Sequence, residues 1–364
     1  MALRCGIVGL PNVGKSTLFN ALGSASAESE NYPFCTIEPN VGVVPVPDER
    51  LHRLSDLSHS ARETSTAIEF VDIAGLVEGA SEGEGLGNQF LAHIREVDAI
   101  IHVVRCFDDP NVVHVSGSVD PARDVEIIET ELLLKDLDTS ERRVEKTARL
   151  AKGGDRKVRD ELAFYERVLA HLSGGKPVRS LTVRPEEKPW LDSLFLLSAK
   201  PVLYAANMAE DELPDGNEYV DVLRGIAAGE GAGVVVVCAE LEAQLVQLDQ
   251  EDRQAFLEEV GLKAPGLERL VHAAYELLGL VTFFTTGPKE TRAWTVERGT
   301  KAPQAAGVIH TDFERGFIRA ETIKYGDFIE HGSEAGARDA GVLRAEGRNY
   351  EVADGDVILF RFNV

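Results

Sequence analysis

The sequence predicts an α/β protein: a largely parallel, three-layer sheet interrupted by a helical hairpin and followed by a small α+β unit. Three observations carry this. Apolar runs of strand length at Ala2–Val8, Ala67–Ile73, Ala99–Val104, Pro201–Ala206 and Gly233–Cys238 alternate with helical stretches, as strands buried on both faces do. Between the third and fourth runs a coiled-coil spacing takes over. Beyond about Val281 the chain turns to short β-rich segments broken by Gly and Pro.

The first strand runs into Gly9-Leu10-Pro11-Asn12-Val13-Gly14-Lys15-Ser16, which matches the G-x-x-x-x-G-K-[ST] phosphate loop in the strand-to-helix setting that loop requires. Backbone N–H groups and a helix N-terminus cradle phosphates there, so Asn12, Val13, Gly14, Lys15, Ser16 and Thr17 form the expected phosphate-binding set. Lys15 reaches the β and γ oxygens, and Ser16 ligates Mg²⁺. The second strand ends in Asp72-Ile73-Ala74-Gly75, a D-x-x-G in which Asp72 holds Mg²⁺ through water and the Gly75 N–H touches the γ-phosphate. Thr36 lies between the motifs, where a first-switch threonine completes the Mg²⁺ shell. Five glycines between Gly75 and Gly87 argue against a stable helix and suit a nucleotide-gated second switch.

Position 76 bears on the reaction. In Ras-like enzymes the residue after D-x-x-G is the Gln that orients water, and Leu76 can neither donate nor accept a hydrogen bond. His114, in Val112-Val113-His114-Val115-Ser116, is the candidate to position water instead, although a lone His among valines is more often a packed structural residue. The fourth strand leads into Asn207-Met208-Ala209-Glu210 where N-K-x-D would read guanine. With Met208 for Lys and a longer Glu210 for Asp, guanine loses its short carboxylate acceptor, whereas the Asn207 amide and a backbone carbonyl suit adenine. ATP is therefore expected in preference to GTP.

Within the insert, Val158, Leu162, Tyr165, Leu169 and Leu172 step as an a/d seam, and Leu133, Leu137, Val144 and Ala151 fall on a similar register. Gly153-Gly154 separates the two stretches, which predicts an antiparallel helical hairpin. The expected domains are 1–124 with 201–280 for nucleotide binding, 125–200 for the coiled-coil hairpin and 281–364 for the C-terminal α+β unit.

With 364 residues, 44% apolar and 27% charged, the chain can bury more than one core and is not disordered. A net charge of -23 opposes a nucleic-acid partner only if it is evenly spread. It is not: residues 142–159 carry eight basic side chains against two acidic ones, a local +6, which fits either a phosphate-contacting arm or a solvated helix face. The four cysteines, Cys5, Cys35, Cys106 and Cys238, form no CxxC pair, which disfavours a disulfide scaffold or zinc site. No apolar window of about 18 residues suggests a membrane span, so a soluble cytoplasmic protein is expected.

Together these residues resemble the YchF/Obg-like ATPase family of phosphate-loop NTPases. The most specific pieces are Gly9 to Thr17, Asn31 to Asn40, Asp72 to Gly87, Asn207 to Glu210, and Ile309 to Glu314 with Gly316 to Ala320. The resemblance implies ATP hydrolysis, Mg²⁺ dependence and association with ribosomes through the hairpin and C-terminal unit, the latter looking like a TGS domain of β-grasp form. It favours the catalytic role for His114. It also places Cys238 and Ala239 at a base-pocket backbone element, and Asn12 resembles the Asn that helps hold K⁺ in some cation-activated relatives.

Overall fold

The computed structural model describes residues 3–27, 40–74, 86–214 and 216–363. Its elements are β1 (Arg4–Val8), α1 (Lys15–Ala27), β2 (Val41–Pro45), α2 (Glu49–Ser58), β3 (Glu63–Thr64), β4 (Ala67–Asp72), α3 (Leu86–Glu96), β5 (Ala99–Arg105), α4 (Pro121–Ala151), α5 (Arg156–Ser173), α6 (Lys188–Asp192), β6 (Val202–Asn207), α7 (Glu218–Glu230), β7 (Gly233–Val237), α8 (Ala239–Leu245), α9 (Gln250–Glu259) and α10 (Gly266–Leu277). The C-terminal region adds β8 (Leu280–Thr285), β9 (Thr291–Glu297), α11 (Ala302–Ile309), α12 (Thr311–Arg315), β10 (Phe317–Lys324), α13 (Tyr325–His331), α14 (Glu334–Asp339), β11 (Arg344–Glu346) and β12 (Asp356–Phe362).

Among the described residues, one compact unit comprises 3–27, 40–42 and 69–274, and the other 43–68 with 275–363. One sheet has the order β2-β4-β1-β5-β6-β7, and its strands β1, β5, β6 and β7 belong to the first unit. Strand β1 pairs in parallel with β4 and β5, β5 with β6, and β6 with β7, so the carboxyl ends of five strands line one edge. Every residue of β5 and β6 is buried, because helices cover both faces of a parallel sheet.

The hairpin forms where its caps and glycines dictate. Asp120 accepts from the N–H groups of Ala122 and Arg123, and Pro121 opens the first turn of α4. That helix runs 31 residues, about 46 Å at 1.5 Å per residue. Gly154 turns the chain at φ 84°, a conformation that costs a glycine little, and Asp155 caps α5 through the Lys157 N–H. On α5 the fully buried residues are Phe164, Tyr165, Val168 and Leu172, while Leu162 and Leu169 are half-buried. The stripe is wider than the expected seam because α5 packs on Val178, Leu194 and Leu196 as well as on Leu133, Leu137 and Val144 of α4.

The second unit has a mixed sheet of order β11-β10-β12-β8-β9-β3. Neighbouring side chains of β8 point to opposite faces: Phe283 joins a core with Ala305, Phe317 and Phe360, and Phe284 one with Leu51, Leu54, Ile323 and Phe328. Leu51 and Leu54 belong to α2, so residues 43–68, which fall within the first 124 in sequence, pack with the C-terminal segment. No helix among the described residues is long and apolar enough to cross a membrane.

Candidate functional site

The phosphate loop turns between β1 and α1. Gly14 has φ 92°, and a Cβ there would collide with the Asn207 amide, so both its dihedral and the close approach require glycine. Lys15 is buried and its Nζ pairs with the carboxylate of Asp72 at the end of β4. That brings together Lys15 of the phosphate-loop motif and Asp72 of the D-x-x-G motif. Ser16 and Thr17, at the start of α1, are exposed. Thr36, Gly75 and the glycine-rich stretch to Gly85 lie outside the described residues, as does Cys35.

At the end of β6, Asn207 is 4% exposed. Its Nδ2 donates to Val13 O at 2.9 Å and its Oδ1 accepts from Ala239 N at 2.9 Å, so one side chain ties the phosphate loop to the start of α8. Met208 is buried, with its N–H on Val237 O at 2.9 Å, and Glu210 is exposed on a short 3₁₀ turn. Cys238 and Ala239 are buried beneath this corner. Burial pushes the thiols of Cys5 and Cys106 up to about 12, which leaves them unreactive at neutral pH.

His114 follows β5 in a loop braced by Arg105, itself 1% exposed. The guanidinium donates to the carbonyls of Phe107 at 3.0 Å, Val112 at 2.9 Å and Asp109 at 3.2 Å. Asn12 Nδ2 donates to Val113 O at 3.0 Å, linking the loop to the phosphate loop. The His114 ring is buried, with Nε2 2.8 Å from Asp124 Oδ2 and Nδ1 accepting from Ser116 N at 3.1 Å. In this conformation the imidazole is a packed, fully partnered residue.

The comparisons with known proteins cover the chain from end to end. Residues 4–142 match the MMR_HSR1 model, described as 50S ribosome-binding GTPase, and residues 280–363 match YchF-GTPase_C, described as a protein of unknown function (DUF933). The chain is 55% identical over 366 residues to a protein of Bacillus subtilis (strain 168) named ribosome-binding ATPase YchF, and 56% identical over 364 residues to the one of Escherichia coli O157:H7, each covering 100% of both chains. A solved structure of the Schizosaccharomyces pombe YchF GTPase superposes with TM-score 0.90 at 38% identity, over 99% of this chain and 97% of that one. The chain belongs to the YchF family.

For this YchF-family chain the structure brings Val13, Gly14, Lys15, Asp72, Asn207 and Ala239 together. Sequence reasoning missed Arg105 and Asp124. An Arg closing an otherwise apolar strand, and an Asp four residues after the helix cap Asp120, were the signals that could have found them.

Proposed function

We propose that this protein is a Mg²⁺-dependent ATPase that prefers ATP to GTP and works on the ribosome in the cytoplasm. The observation that carries it is the meeting of the motif residues at one edge of a parallel sheet: Lys15 on Asp72, and Asn207 bridging Val13 to Ala239. Ligands of α/β sheets bind outside the carboxyl ends of strands. The hard oxygen donors Ser16 and Asp72, with Thr36, suit Mg²⁺, which takes few protein ligands alongside phosphates. Held by these residues, Mg²⁺ would supply neutralisation of the charge on the transferred phosphoryl group. Lys15 then exchanges Asp72 for phosphate oxygens, and the N–H groups of Gly14 to Thr17 hold the phosphate chain. His114 positions the attacking water in place of the absent Gln, since Leu76 cannot.

Base choice rests on what the corner lacks for guanine. Met208 is buried in the core and Glu210 stands on an exposed turn, so neither supplies a held carboxylate for the N1–H and N2 donors. The bacterial relatives are named ATPases and the Schizosaccharomyces pombe protein a GTPase, which makes this the deciding measurement. Side-by-side titration calorimetry should give ATP the lower Kd by tenfold or more; an equal preference for GTP with relaxed base choice, or a tenfold preference for it, overturns the adenine reading. The second reading is a nucleotide-gated ribosome or RNA-binding protein with incidental hydrolysis, favoured by the fully partnered His114. A rise in turnover on adding ribosomes decides for the enzyme.

Ribosome contact is assigned to the hairpin tip and to the C-terminal unit read as a TGS domain. At the tip, Arg142 and Arg149 are 78% and 79% exposed, as a phosphate-contacting arm requires.

A further inference from the structure

The loop that carries His114 is built inside out. Val113 and Val115 are 75% and 50% exposed, whereas the His114 between them is 7% exposed. Leaving two valines in water while burying a titratable ring reverses what transfer free energies favour. The bonds to the ring hold it there. Because Nδ1 accepts from the Ser116 N–H, the proton of the neutral imidazole is on Nε2, and it is donated to Asp124. Both ring nitrogens are engaged by the protein, so the ring in this conformation cannot orient water.

Asp124 is placed to control that bond. It sits in the first turn of α4, where the helix N-terminus favours its charge. Arg123 Nη2 reaches Asp124 Oδ1 at 3.3 Å, and the same guanidinium holds Ser118 O and, at 3.1 Å, Ser118 Oγ. On its other side the loop is held by Asn12 of the phosphate loop through Val113 O. The His114 loop is thus strung between the nucleotide site and the helix that forms the arm.

We propose that Asp124 is a positioning residue that withholds His114 from the reaction until α4 shifts, so that load on the arm governs hydrolysis through one hydrogen bond. This rests on His114 being the water-positioning group. Helix α4 runs without interruption from Pro121 to Ala151, so the body that reaches the basic tip also carries the latch carboxylate. Release involves no covalent step: the Nε2–H exchanges a carboxylate for water, and the loop turns its valines inward as the ring comes out.

Steady-state ATPase measurements with and without purified 70S ribosomes test this. Asp124→Asn keeps the size and one acceptor oxygen but loses the charge, and charge-assisted bonds are about twice as strong as neutral ones, so the unstimulated kcat should rise about fivefold with KM for ATP unchanged. The stimulation by ribosomes should shrink by a similar factor, and the gain should vanish in the His114→Ala/Asp124→Asn double variant. An unchanged or lower unstimulated kcat, or a gain that survives in the double variant, overturns the latch. Should Asp124→Asn fail to fold, Arg123→Met leaves both latch residues in place and loosens Asp124 more gently; a rise of about twofold supports the proposal and a fall or no change sinks it. If His114→Ala alone turns over ATP like the parent, it is the hydrolytic role of His114 that fails; if His114→Ala is inactive and Asp124→Asn shows no gain, only the latch fails.

Discussion

The root and the tip of the arm use charge in opposite ways. At the root, Asp136 of α4 is buried and accepts from Leu197 N at 2.8 Å, Ser198 N at 2.8 Å and Ser198 Oγ at 2.6 Å. Roughly two turns earlier, Glu129 meets Arg179 at 2.8 Å, and Arg179 also meets Glu230 at 2.8 Å, whose Oε2 accepts from Tyr204 at 3.1 Å. These charges sit largely out of water, and Asp136 and Arg179 are each held by more than one partner. At the tip, Arg142 pairs with Asp138 at 2.9 Å and Arg149 with Glu145 at 3.6 Å, one turn apart and open to solvent. Such pairs contribute little to stability. The root anchors the helix; the tip leaves its cations in solvent.

Removing a root carboxylate should have the largest effect. Asp136→Ala strands two buried backbone donors, so urea unfolding should show a loss of about 3–5 kcal/mol. A loss below about 1 kcal/mol would mean that the root is not an anchor.

The second test uses the histidine next to the root network. His102 of β5 packs tilted against Tyr204 with ring centroids 5.6 Å apart, and burial, reinforced by the charge of Arg179, lowers its pKa to about 3. The unfolded chain protonates this group near 6.5, so acid favours unfolding between those values, and stability present above 6.5 is lost as the pH falls. At pH 4.5 the cost is about 2–3 kcal/mol. His102→Leu should therefore flatten the fall of Tm between pH 7 and 4.5, and an unaltered slope would place the acid sensitivity elsewhere.

The smallest change in stability is expected at the tip. Changing Arg142, Arg149, Arg156 and Lys157 to Gln should shift unfolding by no more than about 0.5 kcal/mol per site, while weakening ribosome association and flattening its salt dependence. Equal binding at low and high salt would return the tip to a solvated helix face. Arg143 is left out of this set because it packs over the Tyr165 ring at 5.5 Å and donates to Ser193 O at 2.9 Å, a role its place in the basic run did not reveal.

Much of the site was legible because its signals are local. The phosphate loop, Asp72 and Asn207 each stand at a strand end with characteristic neighbours, and spacing along the chain is enough to find them. The roles of Asp136 and Arg179 were not legible, since each depends on partners that only folding brings near: Asp136 lies 61 residues from Leu197, and Arg179 lies 51 residues from Glu230. Asn207 stood out through its motif, but that its amide joins Val13 to Ala239 was not legible.

The sequence by itself determined the parallel sheet, the helical hairpin, the places of the phosphate-loop and D-x-x-G motifs and the uneven charge, because hydrophobic period, glycine placement and motif spacing are properties of neighbours along the chain. Only the tertiary structure decided that residues 43–68 join the C-terminal unit, that the acids of α4 are buried at its root, and that His114 faces inward while its flanking valines face water. Those outcomes depend on which surfaces exclude water together, and a burial that requires two distant segments is written in neither one alone.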